Sequence, residues 1–499
     1  MKKNATVILF LCLGLSLSAQ WKPAGEKIKT EWANKVNPKQ VLPEYPRPIM
    51  ERKEWKNLNG LWNYAIQEAG KSAPAKYDGQ ILVPFAVESS LSGVMKEVGA
   101  KNELWYNTTF NIESNWKGQN ILLHYGAVDW KTEVWLNGVK IGSHTGGYTP
   151  FSFDITPFIA GTTQQLTVKV WDPSNEGPQP RGKQVKNPEG IWYTPVTGIW
   201  QTVWIEPVNK KNITTIKTTP NIDQNVISMK TEVSGASYGD VIEVTVYDNS
   251  KTIATGKASV GENLEIVLNN PKLWSPESPF LYKTNVKLIS NGKVVDQVKS
   301  YFAMRKIGSK RDANGVLRMQ LNNKDYFQFG PLDQGWWPDG LYTAPTDEAL
   351  KYDIAKTKEL GFNMIRKHVK VEPERWYTHC DEMGILVWQD MPSGDEQPLW
   401  QNKKYFEGTE LQRTPKSEEI YKKEWKDIMD HLYSYPSIVV WVPFNEAWGQ
   451  FKTVEITEWT KNHDPSRLVN SSSGGNHFQT GDILDLHKYT KIFLYINSI

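Results

Sequence analysis

Cysteine is nearly absent from this sequence of 499 residues, which contains only Cys12 and Cys380. Only Cys380 remains once the N-terminal leader described below is removed. We therefore expect no internal disulfide, so that each domain must be stabilised by its own core. A large excess of either charge is also lacking, since the formal net charge is +3 and no basic run could follow a phosphate backbone. Nucleic acid is therefore not an expected partner.

The motifs of several enzyme classes are missing as well. The histidines show no paired spacing typical of a zinc site, and there is neither a Gly-Xaa-Ser-Xaa-Gly nucleophile motif nor a phosphate-binding loop. We therefore expect no metal and no cofactor. Lys367 and His368 could suggest general-base chemistry of another kind, but no partner motif accompanies them.

The N-terminus has the pattern of a signal peptide. Lys2 and Lys3 precede an apolar stretch over residues 6–17, and Ser18-Ala19-Gln20 offers a small-residue cleavage site. The stretch is short for a membrane span, and Cys12 lacks the small residue expected before a lipoprotein cysteine. The pattern predicts cleavage after residues 1–19, export to the periplasm or the cell exterior, and no membrane span.

The length predicts two to four domains, and the first two have β patterns. Over residues 20–207 many short β-rich runs lie close together, and Asn137-Gly138 between two apolar runs is a strong hairpin signal. This pattern is typical of a β-sandwich or jelly roll. Over residues 208–306 about seven strands are expected, as in the strictly alternating 242–248, which is the size of an immunoglobulin-like sandwich.

From residue 307 the sequence alternates between strand and helix patterns. Predicted strands cover residues 325–329, 362–368, 385–390, 438–442, 468–470 and 483–486. Predicted helices cover residues around 350–360, 372–383, 421–432 and 454–461. Such a succession predicts parallel strands with helical crossovers.

One stretch of the sequence contains the candidate catalytic residue. The apolar run 438–442 shows no alternation, which is typical of a strand buried on both faces, and it leads into Asn445 and Glu446. A carboxylate at the carboxyl end of a parallel strand lies where α/β barrels place their active sites. Trp441, Phe444 and Trp448 could desolvate it and raise its pKa toward use as a general acid. A strand ending in a solvated glutamate is the alternative.

The stretch ending in Asn445-Glu446 closely resembles the acid/base motif of glycoside hydrolase family 2, the family of β-galactosidases, β-glucuronidases and β-mannosidases. The resemblance implies a sugar-binding jelly-roll sandwich, an immunoglobulin-like sandwich and a (β/α)8 TIM barrel. It also implies that Glu446 is the catalytic acid/base and that Asn445 contacts the sugar 2-hydroxyl. A loop from the sandwich is expected to reach the barrel with Asp172 as the sugar contact, although a solvated loop with an Asp-Pro turn is an equal alternative.

Three further residues are candidates for the substrate pocket. His368 and Asp390 stand at predicted strand ends, and Trp448 follows Glu446 closely enough to form a sugar platform. A packing role, or a role in supporting a neighbour, fits each of these three equally well.

The sequence departs from the family pattern near its end. Only about six barrel strands are predicted, and the apolar residues 490–499 resemble a foreign ending. The family's nucleophile is a glutamate that ends the seventh strand. Glu455 and Glu458 lie in a helical segment, and Asp482 and Asp485 belong to the sixth-strand region. We therefore expect a barrel domain over residues 307–499 that is truncated after about six strands and lacks its nucleophile.

The resemblance predicts an exported retaining β-glycosidase, most simply a β-galactosidase, with carbohydrate as its partner. β-Glucuronidase and β-mannosidase specificities stay open, as does assembly into a homo-oligomer. The second hypothesis is a truncated, inactive protein that binds sugar without turnover. A structural array of sandwiches is a third, which Asn445-Glu446 in a barrel pattern disfavours.

Overall fold

The computed structural model describes residues 21–395 and 409–488. The predicted signal peptide and the apolar ending lie outside the described residues. No helix within the described ranges is both long and apolar enough to cross a membrane.

The first part of the chain is a β-sandwich. A six-stranded sheet of order β3-β2-β4-β10-β7-β8 faces a four-stranded sheet of order β1-β12-β5-β9, and β6 pairs with β11. These strands, β1 to β12, are Lys56–Asn57, Gly60–Glu68, Gly79–Val83, Asn102–Asn111, Asn120–Tyr125, Val128–Asp129, Lys131–Leu136, Val139–Thr145, Phe151–Asp154, Thr163–Trp171, Gly198–Ile199 and Val203–Val208. Strand β10 shows the burial pattern of these sheets. Its residues Leu166, Val168 and Val170 point into the core, while the residues between them face outward.

The predicted hairpin at Asn137-Gly138 is confirmed. Strands β7 and β8 pair antiparallel with Leu136 opposite Val139. Asn137 and Gly138 both have positive φ, 52° and 82°. Two consecutive left-handed residues form the tight turn that matches the twist of the strands, and asparagine and glycine tolerate this conformation best.

The second part is a smaller sandwich with a three-stranded sheet of order β13-β14-β17 and a four-stranded sheet of order β16-β15-β18-β19. These strands are Asn212–Asn221, Val226–Ser234, Val241–Asp248, Lys251–Ser259, Asn263–Val267, Tyr282–Ser290 and Lys293–Phe302. The expected number of strands is confirmed. The predicted boundaries at residues 207 and 306 stay predictions.

The third part begins with a three-stranded antiparallel sheet and continues as an α/β unit. A five-stranded parallel sheet has the order β23-β24-β25-β26-β28, and β27 pairs with β29. Strands β20 to β29 are Ile307–Arg311, Leu317–Leu321, Lys324–Asp325, Leu332–Asp333, Met364–Lys367, Leu386–Asp390, Ile438–Val442, Phe444–Asn445, Leu468–Val469 and Ser472–Ser473. Helices α1 to α4 are Asp347–Glu359, Glu374–Met383, Pro415–Leu432 and Thr453–His463.

Two predicted barrel strands are wrong. Residues 325–329 do not form the first parallel strand, because Lys324–Asp325 pairs antiparallel in the preceding sheet and the parallel sheet begins at Leu332–Asp333. Phe327 is 80% exposed, so its apolar character did not indicate a buried strand. Residues 483–486 contribute a single bridge from Ile483 to Asn470. Within the described ranges the parallel sheet therefore has five strands, and the predicted truncation of the barrel stays a prediction.

Strand β26 lies between β25 and β28 in the parallel sheet. All five of its residues are buried, which agrees with the unalternated apolar run in the sequence. The ring of Trp441 meets Trp425 of α3 edge-on at 5.5 Å, and its indole N–H donates to Asp464 at 2.8 Å. Burial on both faces fixes the register of β26 and so the position of the residues that follow it.

Candidate active site

Glu446 lies just beyond the carboxyl end of β26, on a sharp turn. The chain passes from β26 into β27, and then Glu446 and Ala447 adopt positive φ angles of 49° and 63°. The Glu446 N–H donates to the Ser473 carbonyl at 2.7 Å, and the Trp448 N–H donates to the Asn445 carbonyl at 2.9 Å. Two non-glycine residues in the left-handed region are strained, and such strain persists where the surroundings fix the backbone.

The carboxylate of Glu446 is held by a histidine from a later segment. Its Oε1 lies 2.8 Å from Nδ1 of His487, and Nε2 of His487 lies 2.8 Å from Oγ of Ser473. The Ser473 hydroxyl donates to Asp485, and Nη1 of Arg366 lies 3.5 Å from the same Nε2 of His487. Either partner of the contact between Glu446 and His487 can be its donor. A carboxyl group bonded in this way is able to exchange a proton with a neighbouring group.

Arg366 joins the ends of three neighbouring strands. It follows from parallel pairing that the ends of β24, β25 and β26 meet at one edge of the sheet. Arg366 Nε and Nη2 donate to the two carboxylate oxygens of Asp390 at 3.0 and 2.7 Å. Nη2 also donates to Oδ1 of Asn445 at 2.8 Å, which sets the orientation of the Asn445 amide beside Glu446.

Asp390 and His368 form a buried pair, and the pKa of each side chain lies below its ordinary value. Burial raises the pKa of Asp390, but the charge of Arg366 and the hydrogen bond from His368 outweigh it and hold the pKa below its ordinary value. Burial lowers the pKa of His368, and the charges of Arg366 and Lys183 lower it further against Asp390. Asp390 is thus a fixed anion, and its Oδ2 lies 3.1 Å from Nδ1 of His368.

The loop between β10 and β11, residues 172–197, runs from the first sandwich to this edge of the parallel sheet, and we call it the crossing loop. The N–H groups of Arg181 and Gly182 donate to the Ser393 carbonyl at 3.2 and 3.0 Å. The Arg181 guanidinium also donates to the Asp395 carbonyl at 2.7 Å and lies 5.6 Å from the Trp448 ring centre. The sandwich therefore packs directly against this edge of the parallel sheet.

Aromatic side chains line the contact between the crossing loop and the barrel domain. Trp448 is 2% exposed and packs at 5.4 Å against Trp192 of the crossing loop, and its predicted role as a sugar platform stays a prediction. Tyr193 of the same loop stacks on Trp336 at 4.4 Å. Trp192, Tyr193 and Trp336 keep part of their surface exposed, so these three can offer a ring to a ligand. Sequence reasoning missed them, although aromatic residues inside a polar loop were a usable signal.

Lys183 was also missed. It lies in the crossing loop, is 8% exposed, and its Nζ lies 3.5 Å from Oε1 of Gln334, the residue after β23. Burial lowers the pKa of Lys183, while the charges of Glu446 and Asp390 raise it. It therefore shares the electrostatic environment of Glu446.

Asp172 lies deeper in the sandwich. Its Oδ1 accepts from the Ser174 N–H at 2.7 Å and its Oδ2 from the Thr197 hydroxyl at 3.2 Å. Burial raises its pKa to about 6. Within the described ranges no hydrogen bond or ion pair joins Asp172 to Glu446 or Asn445. Its predicted contact with sugar stays a prediction, and its present partners hold the base of the crossing loop.

The described residues contain no group of three histidine, cysteine, aspartate or glutamate side chains that could hold a metal ion.

Comparison with known proteins agrees with this arrangement of parts. Three sequence models of one family match in succession: "Glycosyl hydrolases family 2, sugar binding domain" over residues 55–203, "Glycosyl hydrolases family 2" over 201–305, and "Glycosyl hydrolases family 2, TIM barrel domain" over 342–495. The chain belongs to glycosyl hydrolase family 2. The resemblance found in the sequence and the expected fold class of two sandwiches and a TIM-barrel domain are confirmed.

Curated family 2 proteins match at low identity. A putative β-glucuronidase of Formosa agariphila is 28% identical over 414 residues, covering 78% of this chain and 37% of that protein. A β-galactosidase of Thermoanaerobacter pseudethanolicus is 26% identical over 468 residues, covering 89% of this chain and 58% of that protein. The chain thus spans roughly a third to three fifths of the length of these family 2 relatives.

Solved structures share the fold. A β-glycosidase from Bacteroides vulgatus superposes with a TM-score of 0.66 at 23% identity, covering 84% of this chain and 54% of that one. A β-D-glucuronidase for Dictyoglomus thermophilum superposes with a TM-score of 0.68 at 22% identity, covering 85% and 73%. At this identity the likeness concerns the fold alone.

Proposed function

We propose that this chain carries the acid/base half of a retaining β-glycosidase active site for terminal β-linked sugars. The observation that carries the proposal is the position of Glu446, at the carboxyl end of a buried parallel strand and hydrogen-bonded to His487. Membership of family 2 supports the proposal, because curated relatives and a protein of similar structure are named as glycosidases.

The contacts of Glu446 suit both steps of the reaction. In the first step a protonated Glu446 donates to the glycosidic oxygen as its bond to the anomeric carbon breaks and a carboxylate nucleophile bonds to that carbon. In the second step the Glu446 carboxylate takes a proton from water as the water attacks the anomeric carbon and releases the nucleophile. His487 can hold or return that proton at 2.8 Å between steps. The hydrogen bond from Arg366 orients the Asn445 amide, which supports a role for Asn445 in binding the sugar.

A retaining mechanism needs a second carboxylate about 5 to 5.5 Å from the first, as the nucleophile. The described acids near Glu446 are engaged elsewhere: Asp390 is paired with Arg366, and Asp485 accepts from Asn470 and Ser473. Glu455 and Glu458 bond to Lys422 and Thr480 from helix α4. These contacts favour the second candidate function, sugar binding without turnover.

The sugar is proposed at the level of class. A β-galactoside is the expectation from the sequence, and relatives named β-galactosidase and β-glucuronidase support either choice. We also propose that the protein is exported, on the strength of Lys2, Lys3 and the apolar stretch that follows. N-terminal sequencing of protein from the producing cell should find Gln20 near the start, and retention of Met1 would contradict export.

Replacement of Glu446 by glutamine tests the acid/base role. Activity on substrates with poor leaving groups should fall about 100- to 10,000-fold, because only these need protonation, while activated aryl glycosides lose far less. Glu455→Gln is the matched control, since this glutamate lies on α4 in an exposed pair with Lys422. Equal losses on both substrate types would contradict the assignment. Sugar binding without measurable turnover by the parent chain would favour the second candidate.

A further inference from the structure

We propose that Lys183 selects sugars that carry an anionic substituent, and that a uronic acid carboxylate is the group it binds. The inference rests on the proposed sugar site and deepens it, because it names the chemical class of the ligand and the residue that recognises it. The established fold assigns no role to this lysine.

The first observation is a buried cation without an anion. Lys183 is 8% exposed, yet within the described ranges no carboxylate lies within ion-pair distance of its ammonium group. Its one hydrogen bond, to Oε1 of Gln334, is 3.5 Å long and lies at the limit of such a contact. Removing an ammonium group from water without a partner is costly, so the charge calls for an anion from elsewhere.

The second observation is the contrast with two other buried lysines at the same barrel edge. Lys367 lies 2.7 Å from Asp333 and 2.9 Å from Glu372. Lys370 lies 2.8 Å from Glu372 and also donates to two backbone carbonyls. The fold thus provides buried lysines here with carboxylates, and Lys183 is the exception.

The two carboxylates that raise the pKa of Lys183 already have other partners. Asp390 is held by Arg366 and His368, and Glu446 by His487. The Lys183 ammonium group contacts Gln334, the residue that follows β23, so it lies at the edge of the parallel sheet where the neighbouring strands end. The effect of Glu446 and Asp390 on its pKa agrees with this position. A ligand bound against Glu446 can therefore extend a substituent toward the ammonium group.

The backbone cannot easily withdraw Lys183. Gly182 has φ of 60°, and its position leaves so little room that an added Cβ would lie 2.7 Å from the Val369 carbonyl. The Lys183 carbonyl accepts from the Tyr193 N–H at 2.9 Å, and Tyr193 is stacked on Trp336. The lysine is thus presented from a fixed loop beside partly exposed rings, as expected of a residue that recognises part of a ligand.

Binding to the full chain tests this assignment. The probes are methyl β-D-glucuronide with methyl β-D-glucoside, and methyl β-D-galacturonide with methyl β-D-galactoside, so that each pair differs only at C6. The 6-sulfates of the two neutral glycosides distinguish a carboxylate from another anion. The variants are Lys183→Met and, as matched control, Lys186→Met, an exposed lysine in the same loop. Affinities are measured by calorimetry.

The parent chain should bind one uronide about 10- to 100-fold more tightly than its neutral partner, the range for a hydrogen bond to a charged group. Lys183→Met should abolish that preference and keep the neutral affinity, which also shows that the variant is folded; Lys186→Met should leave the preference unchanged. If Lys183→Met does not fold, the parent's preference should weaken with added salt, and a salt-independent preference would overturn the assignment.

Equal binding within each pair, or a preference that survives Lys183→Met, would overturn the Lys183 assignment and leave the sugar site standing. Tighter binding of the 6-sulfates would overturn the choice of carboxylate. Binding of none of the six glycosides would overturn the proposed sugar site itself, and with it the role of Lys183.

Discussion

Glu88 offers a test of how the crossing loop is anchored in the sandwich. One carboxylate oxygen accepts from the Thr197 N–H at 3.0 Å, and the other has no hydrogen-bond partner among the described residues. Burial raises the pKa of Glu88 to about 8, and the charge of Asp172 adds to this. Glu88→Gln keeps the shape and the acceptor for Thr197, and it puts an amide donor in place of the second oxygen.

The sign of the effect follows from linkage. The folded-state pKa of Glu88 lies above the unfolded value, so its stabilising contribution is full below about pH 4.5 and is lost as pH rises toward about 8. Between about pH 5 and pH 8 this loss amounts to roughly 3 kcal/mol, from about 1.36 kcal/mol per pKa unit. Glutamine does not titrate. The variant should therefore gain stability relative to the parent as pH rises.

Thermal unfolding of both proteins at about pH 5 and about pH 8 measures this difference. For a unit of 150 to 250 residues, roughly 3 kcal/mol corresponds to a change of roughly 6 to 12 °C in the difference between the two midpoints. Glu97→Gln is the control, because this glutamate is exposed in the same sandwich and should show no such change. A midpoint difference between Glu88→Gln and the parent that is the same at both pH values would refute a raised pKa at Glu88.

Two further substitutions test the pocket. Arg366→Met should lower the free energy of unfolding by about 3 to 5 kcal/mol, because Asp390 is left buried without its cation, and adding Asp390→Asn should recover much of the loss in urea unfolding. Gly182→Ala should weaken sugar binding in a fluorescence titration, since the added Cβ would lie 2.7 Å from the Val369 carbonyl; Gly190→Ala, with a similar positive φ but open space, should not, and equal effects would argue against a steric cause.

Local patterns predicted much of this fold because the elements obey them. The Asn137-Gly138 turn and the unalternated 438–442 strand are each determined by neighbours in sequence. The wrong strand at 325–329 shows the limit, because apolar residues such as Phe327 can be exposed and β-propensity does not report burial. Whether a run becomes a barrel strand depends on a partner strand that single-sequence patterns do not contain.

The candidate site was predictable where it follows a strand and not where it comes from another domain. Glu446, Asn445 and Asp390 lie at strand ends, and parallel pairing brings such positions together. Lys183 comes to the same edge of the sheet, at Gln334, only through the path of a long loop, which no periodicity encodes. Asp172 was chosen from the same loop by its position, and its contact with sugar stays a prediction.

Because the crossing loop meets the barrel domain, the two residues with proposed functions come from different domains. The residue proposed to exchange protons with the glycosidic bond belongs to the barrel, whereas the lysine proposed to choose the sugar belongs to the sandwich. Strand β26 is buried along its whole length, and the part of the crossing loop around Lys183 is buried as well. A lysine side chain in that loop can nevertheless be replaced without altering the packing of β26. Substrate range in such a protein can therefore change by mutation outside the strand that leads to Glu446. We expect chimeras between relatives to inherit sugar preference from the sandwich donor and bond-breaking chemistry from the barrel donor.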